Sequence, residues 1–445
     1  MNLKNGRFDK ALGVSLLLAM LAVAGCGSDS GGGGPIVGPA PSKTSPGSGL
    51  FAVDCGKDRA YIPLSSLDNN GNGQVAVINI GVNPDTTDPR VTTVSLTHPD
   101  IPVGTALDSD HGLIIVTSGQ TSGKDGFVDV IDQKTNTLVA GSPFAFPAGS
   151  QPGFFGQLLY NPTTHLALLA TCNSSSCSSG NPLTGFVTFD PVTHAFGTII
   201  PANYAESFAL NSATDVIIDA SDSSGAGAMD SVDVAGERAC TLTDSNIGSD
   251  QDGASTDSET NITVISNEDG TASVLNLNGS TFNPGAGTPC TLDEAGTLPN
   301  SVLVSGLPGE TAGSAVNGKT HQAFLIEDSN SGVSLIQLPT ASVNQLTSGD
   351  LGTPAISSIP NDPLGNAWGT KGDPYAVAVG ECKNTGYAVD SSFQFLVQVD
   401  LKTLQDNPSN ISTGLPAGSC AGTTTTTFKC TNSNGVTFFP LPGVL

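Results

Sequence analysis

Short apolar stretches recurring at a regular interval constrain this chain more than any other feature. Seven times between residues 50 and 402, a brief apolar run, a polar turn, a second run, a Gly- or Ser-rich turn and a third run follow one another. The second runs are the clearest: Arg59–Pro63, Gly112–Val116, Leu166–Ala170, Asp215–Asp219, Ile262–Ile265, Gln322–Ile326 and Thr385–Val389. The third runs are Gln74–Ile78, Phe127–Ile131, Phe186–Phe189, Ser231–Val234, Ser273–Leu277, Val333–Ile336 and Phe395–Val399. A period of roughly 50 residues with three or four short strands per unit is the pattern of a β-propeller. One small twisted sheet cannot bury both of its faces, but a ring of such sheets can, each stacking on its neighbours. Ring closure also leaves only short edges. The expected fold is therefore all-β, a seven-bladed β-propeller over residues 50–403. Units four to six are degenerate, so a six- or eight-bladed ring and β-sandwich domains stay open as alternatives. Residues 404–445 do not repeat; Thr423–Phe428 and Val436–Pro440 could form a hairpin that completes the last blade or caps one end.

Composition agrees with this reading and excludes others. The chain has 445 residues, 15 Lys+Arg against 40 Asp+Glu, and a net charge of −25, yet only 12% of its residues are charged. Average proteins carry about 25%, so the acidity reflects scarce bases rather than abundant acids. A coiled coil or long helical bundle needs Ala, Glu, Lys, Leu and Arg in bulk. A nucleic-acid binder needs a basic surface to displace counterions, and this one would repel phosphate. Apolar residues are too frequent and too periodic for a disordered chain.

Unit two carries a family likeness. Leu113-Ile-Ile-Val-Thr-Ser-Gly119, followed by Gly126-Phe-Val-Asp-Val-Ile-Asp-Gln-Lys-Thr-Asn-Thr-Leu-Val-Ala140, resembles the repeat of the YVTN family of bacterial β-propellers. In that family a YVTN-like strand precedes a V-x-V-I-D strand and a T-x-T-V turn. Phe186–Thr193 and Val397–Thr403 match loosely. The resemblance implies the fold and says little about activity.

The N-terminus reads as an export signal. Lys4, Arg7 and Lys10 precede the apolar run Ala11–Ala24, which is too short to span a bilayer. It ends in Val23-Ala24-Gly25-Cys26, which resembles a lipobox. That resemblance implies a signal peptide over residues 1–25 and lipidation of Cys26. Several acyl chains on one residue anchor stably, at roughly 0.8 kcal/mol per buried CH₂. Gly27 and Ser28 follow, without the Asp associated with inner-membrane retention, so the likeness implies the outer membrane. Residues 26–49 are then a Gly/Ser/Pro tether. Cleavage removes Lys4, Arg7, Lys10 and Asp9, leaving 12 bases against 39 acids and a net charge of −27.

Of nine Cys, eight remain besides Cys26, an even number for an oxidising compartment. Repeat register narrows the pairings. Cys55 and Cys382 follow the first runs of units one and seven, which are neighbours in a seven-membered ring, so their bond would staple it shut. Cys240 and Cys290 hold equivalent places in units four and five. Cys172–Cys177 would close a short loop and Cys420–Cys430 would staple the tail. No C-x-x-C-H is present to attach haem.

Several sites merit testing against structure. Asp68-Asn-Asn-Gly-Asn-Gly73 matches the front half of a calcium loop, with Asp68, Asn70 and Asn72 as oxygen donors but Asn79 where a bidentate Glu belongs. Gly313–Thr320 fits G-x-x-x-x-G-K-[ST], but a strand rather than a helix follows, so a two-residue hairpin turn at Asn317-Gly318 is expected. His111, His165 and His321 stand at the turns that start second runs, as polar turn residues or a facial metal or acid–base site. Trp368, in a Gly/Pro-rich loop, is a contact candidate. The function expected is a cell-envelope binding or interaction module without catalysis. Its partners would be the membrane, through the lipid, and a protein or glycan, but not nucleic acid. No cofactor is firmly implied, calcium being the one candidate. The alternatives are a metal-dependent, lactonase-like hydrolase with its site at the central channel, and a structural envelope component.

Overall fold

A computed structural model describes residues 51–441 apart from 65, 82–90, 120–125, 154–157, 176, 179, 204–206, 221–227, 279–289, 292–299, 308, 328–331, 360–373, 391–394, 409–429 and 432–435. Seven separate sheets of four or five strands follow one another along the chain. Their first strands are Ala52–Asp54, Ile101–Asp108, Leu158–Asn161, Ser207–Asn211, Gln251–Asp257, Thr311–Asn317 and Pro374–Gly380. The second strands are Arg59–Leu64, Leu113–Gly119, Leu166–Asn173, Val216–Ala220, Ile262–Asn267, Gln322–Glu327 and Thr385–Asp390. Third strands run Gln74–Asn79, Phe127–Asp132, Gly185–Phe189, Ala228–Asp233, Thr271–Asn276, Gly332–Gln337 and Phe395–Asp400. Within each sheet first, second and third strands pair antiparallel in sequence order. First strands of neighbouring sheets touch at six seams, blade 7 to blade 1 included, and an apolar cluster joins blades 3 and 4, so the sheets form a closed ring with their first strands innermost. The fold is a seven-bladed β-propeller.

Strand periodicity explains the stacking. Successive side chains point to opposite faces. In the second strand of blade 1, Tyr61 packs toward blade 2 with Ile114, Val116 and Ile131. Ala60 and Ile62 pack the other way, against Tyr387, Val389 and Leu396 of blade 7. The same division holds around the ring, and seven apolar clusters fill the seven seams. Second strands therefore read as continuous apolar runs, because both their faces are covered. Each fully buried Val, Leu, Ile or Phe contributes about 1.5–3 kcal/mol.

Blades 4 and 7 recruit distant segments. Cys290–Thr291 adds a parallel strand beside Arg238–Thr243, the outer strand of blade 4, with Cys290 opposite Leu242. The backbone thus brings the Cys290 segment to the Cys240 strand, within blade 4's own sheet rather than blade 5's. In blade 7 a short helix, Leu401–Asp406, follows the third strand; Asp400 caps it, accepting from Thr403 N at 2.7 Å. Thr437–Pro440 then returns as the outer strand, with Cys430–Thr431 beyond it. Thr423–Phe428 lies outside the described residues. Among the described residues no helix is long and apolar enough to cross a membrane.

Candidate functional site

The turns joining first to second strands ring the channel axis on one face. They share a construction. In blades 1 to 6 the first strand ends in Asp or Asn: Asp54, Asp108, Asn161, Asn211, Asp257 and Asn317. Each Oδ1 accepts backbone N–H groups two or three residues on: Gly56 and Lys57, Asp110 and His111, Thr163, Ala213 and Thr214, Glu259 and Thr260, Lys319 and Thr320. These are Asx-turns, in which a short side chain supplies the acceptor the backbone lacks. Four residues past each strand end, the chain enters the left-handed region, with φ between 50° and 66°, at Asp58, Gly112, His165, Asp215, Asn261, His321 and, in blade 7, Asn384. Asn, Asp and Gly visit that region most readily.

The second atom of the cap residue reaches across the seam. Asn161 Nδ2 donates to Asp215 Oδ1 at 2.7 Å. Asn211 donates likewise to Asn261, and Asn317 Nδ2 to Asn384 Oδ1 at 2.8 Å. Asp257 Oδ2 lies 2.7 Å from His321 Nδ1, whose ring is 13% exposed. Each left-handed residue of one blade is thus held by the cap of the blade before it. Blade 2 has Gly112 there, and Gln133 substitutes: its Nε2 donates to Asp54 Oδ2 at 3.2 Å and its Oε1 accepts from Lys57 Nζ at 2.6 Å. Blade 7 ends its first strand in Gly380; there the Cys55–Cys382 disulfide, with Cα atoms 6.0 Å apart, and a Lys383–Asp58 ion pair make the link.

The seam between blades 2 and 3 departs from this scheme. Asp108 turns Oδ2 onto its own neighbour, His111 Nδ1, at 2.8 Å. His165, the left-handed residue of blade 3, is left to Asp110 Oδ2 at 3.2 Å and the Tyr160 hydroxyl at 3.2 Å. Burial, followed by the hydrogen bond to Asp108 and the charges of Asp108 and Asp110, raises the Tyr160 pKa and keeps it a neutral phenol. The His111 and His165 rings meet edge-on with centroids 6.0 Å apart. On the same face of blade 3, His194 stacks on Phe144 at 4.1 Å.

Two buried networks lie toward the opposite face. His98, 7% exposed in the linker from blade 1 to blade 2, has Nε2 2.7 Å from Asp129 Oδ2 and Nδ1 3.2 Å from Asp100 Oδ2. Ser142 Oγ donates to Asp129 Oδ1 at 3.1 Å. Burial works against the His98 imidazolium, but the hydrogen bond and charge of Asp129, and then Asp100, outweigh it and raise the pKa. Serine here bonds to the carboxylate, not to imidazole, so this is not a nucleophile–base pair. In blade 6, Glu327 is fully buried; Oε1 accepts from Ser334 and Oε2 has no hydrogen-bond partner among the described residues. Burial pushes its pKa up to about 7, opposed by the Ser334 hydrogen bond.

The residues singled out from sequence are placed as follows. Asp68 Oδ1 accepts from Asn70 N and Asn72 N, both at 2.8 Å, and the Asn72 amide leads in lowering its pKa. This carboxylate organises its own turn, and Asn70 and Asn72 contribute backbone N–H groups to it. Cys172 and Cys177 are bonded, with Cα atoms 4.9 Å apart. Gly313–Asn317 is a strand, and Asn317 pairs with Gln322. The intervening turn has four residues instead of the two expected, because the Asn317 side chain needs that length to cap Lys319 and Thr320. Cys26, Trp368 and Cys420 lie outside the described residues. Among the described residues, no three His, Cys, Asp or Glu side chains converge as a metal-ligand set. The cap residues and His98, Asp129 and Glu327 escaped the sequence reading. For the caps a signal was present: Asp or Asn at the strand end and a left-handed-tolerant residue four positions later.

No family model and no curated protein sequence matches the chain. Many solved structures do. Hydrazine synthase of Kuenenia stuttgartiensis is similar at a TM-score of 0.50 and 12% identity, over 79% of this chain and 94% of that one. The likeness is one of fold. At such identity it carries no chemistry across.

Proposed function

We propose that this chain is a cell-envelope lipoprotein, tethered through Cys26, whose propeller serves as a non-catalytic platform for a protein or glycan partner. The observation that carries this reading is the use made of polar groups at the channel mouth. Cap after cap is committed to holding its own turn and gripping the next blade. Rigid turns lower the ordering cost of binding, and loops on a rigid scaffold are where recognition concentrates. The two disulfides belong to an oxidising compartment, in keeping with export.

Two experiments test it. The Cys26→Ser variant should lose palmitate label and leave the membrane fraction; retention of both would remove the lipoprotein reading. Photocrosslinkers at exposed turn residues such as Glu259 and Lys319 should trap one discrete envelope partner in whole cells. Metal-dependent lactone hydrolysis by the purified chain, with no crosslinked partner, would replace the binding reading with the hydrolytic one.

A further inference from the structure

We propose that His111 and His165 form a binding site for a borderline divalent metal ion of the Zn²⁺ class, at the mouth of the channel between blades 2 and 3. Everywhere else among blades 3 to 7 the left-handed residue is engaged by the cap of the preceding blade. Here that link is absent, and two imidazoles stand in its place. They are 43% and 54% exposed, whereas His321, at the regular position, is 13% exposed. Strand-end Asp108 holds His111 Nδ1 at 2.8 Å, and turn residue Asp110 reaches across the seam to His165 Nδ1 at 3.2 Å.

Those contacts determine the available ligand atoms. The Asp108 carboxylate only accepts, so His111 Nδ1 carries the hydrogen and Nε2 faces outward as the ligand atom; His165 Nδ1 stands 3.2 Å from both the Asp110 carboxylate and the Tyr160 hydroxyl, and donating to either leaves Nε2 as its ligand atom. Metal-ligating histidines characteristically donate the other ring N–H to a carboxylate, which fixes tautomer and orientation. Both rings here have that support before any ion arrives, and they come from turns braced by Asx caps. With centroids 6.0 Å apart, the two rings can flank one ion. Imidazole nitrogen suits Zn²⁺, Cu²⁺ and Ni²⁺ better than Ca²⁺ or Mg²⁺. Two protein ligands leave the remaining positions to water, so the site is open to solvent. The excess of 40 acids over 15 bases draws cations toward it.

The test is calorimetric titration of Zn²⁺ alone into the full-length protein in detergent. One equivalent should bind, and an excess of Ca²⁺ should not displace it. His111→Gln and His165→Asn should each abolish or strongly weaken binding; Asn is chosen because it tolerates the left-handed backbone at 165. Asp110→Asn should weaken it about tenfold, the usual size of an outer-shell effect. His194→Gln should leave it unchanged. Circular dichroism confirms folding of each variant. Failure of the wild type to bind, or equal binding by a folded His111→Gln/His165→Asn double variant, would overturn the proposal.

Discussion

Two buried ionisable residues both make stability fall as pH rises. Glu327 has a folded pKa of about 7 against an ordinary 4.5. Between those values the unfolded chain has released its proton and the folded chain has not, so stability falls as pH rises through that window. The full shift corresponds to about 3 kcal/mol. Urea melts from mildly acid to neutral pH should show this decline, and Glu327→Gln should flatten it. His98 acts in the same direction, in a window that begins at higher pH. Its pKa is raised in the fold, so its contribution is complete below the ordinary 6.5 and is lost as pH climbs through the raised value. Asp129→Asn removes the stronger partner and should cost about 3 kcal/mol at acid pH. The same melts at alkaline pH should find a smaller loss. Neither site was legible in sequence, because an isolated Glu or His in a strand or linker says nothing about what surrounds it.

Turns are the elements in which sequence and structure correspond most closely. An Asx cap with one or two amide hydrogen bonds recurs in blades 1 to 6, and a left-handed residue four positions past the strand end recurs in all seven. Asn317→Ala removes the cap for Lys319 and Thr320 and the bond to Asn384. The expected cost is about 1–3 kcal/mol for the several hydrogen bonds lost, at about 0.5–1.5 kcal/mol each, with half-buried Asn384 keeping Thr320 as a donor. Asn384→Val puts a β-branched residue at φ 50°, a strain of about 1–2 kcal/mol, and also removes the acceptor of Asn317 and Thr320, so it should cost more than the strain alone. Guanidinium denaturation of the double variant measures their coupling: each effect should shrink by the same amount in the background lacking the other residue, and the strain at 384 should persist without Asn317. The pattern was visible in the chain, but its meaning needed the neighbouring blade, which sits 50 or so residues away in sequence.

Among the described residues the ring closes without exchanging strands between blades 1 and 7: blade 1 is built from Ala52–Ser95, and blade 7 takes its outer strand from Thr437–Pro440. The blade 7–blade 1 seam therefore rests on side chains: an apolar cluster, the Lys383–Asp58 pair and the Cys55–Cys382 bond. Those cysteines are 327 positions apart, against 5 for Cys172–Cys177. On the loop-entropy model the first bond is worth about 6 kcal/mol and the second about 2. Cys55→Ser/Cys382→Ser should lower the melting temperature well beyond Cys172→Ser/Cys177→Ser, and a reductant, which opens both bonds, should lower the wild type at least as far as the first pair of substitutions. Equal shifts would mean that the apolar seam alone holds the ring.

Sequence by itself determined the apolar strands and pointed to seven units and, through them, to a Cys55–Cys382 closure; the structure fixed the count and the bond. Local pattern reaches that far: a second strand covered on both faces must be apolar throughout, and a ring makes its first and last units neighbours. The Asx caps were also written locally, as strand-end Asp or Asn. Only the tertiary structure decided which partner each cap would hold, that His98 would stand between two carboxylates, that Glu327 would be sealed from water, and that His111 and His165 would face each other across a seam. Those outcomes depend on distances between residues far apart in the chain, and burial and electrostatics are set by such distances rather than by residue type.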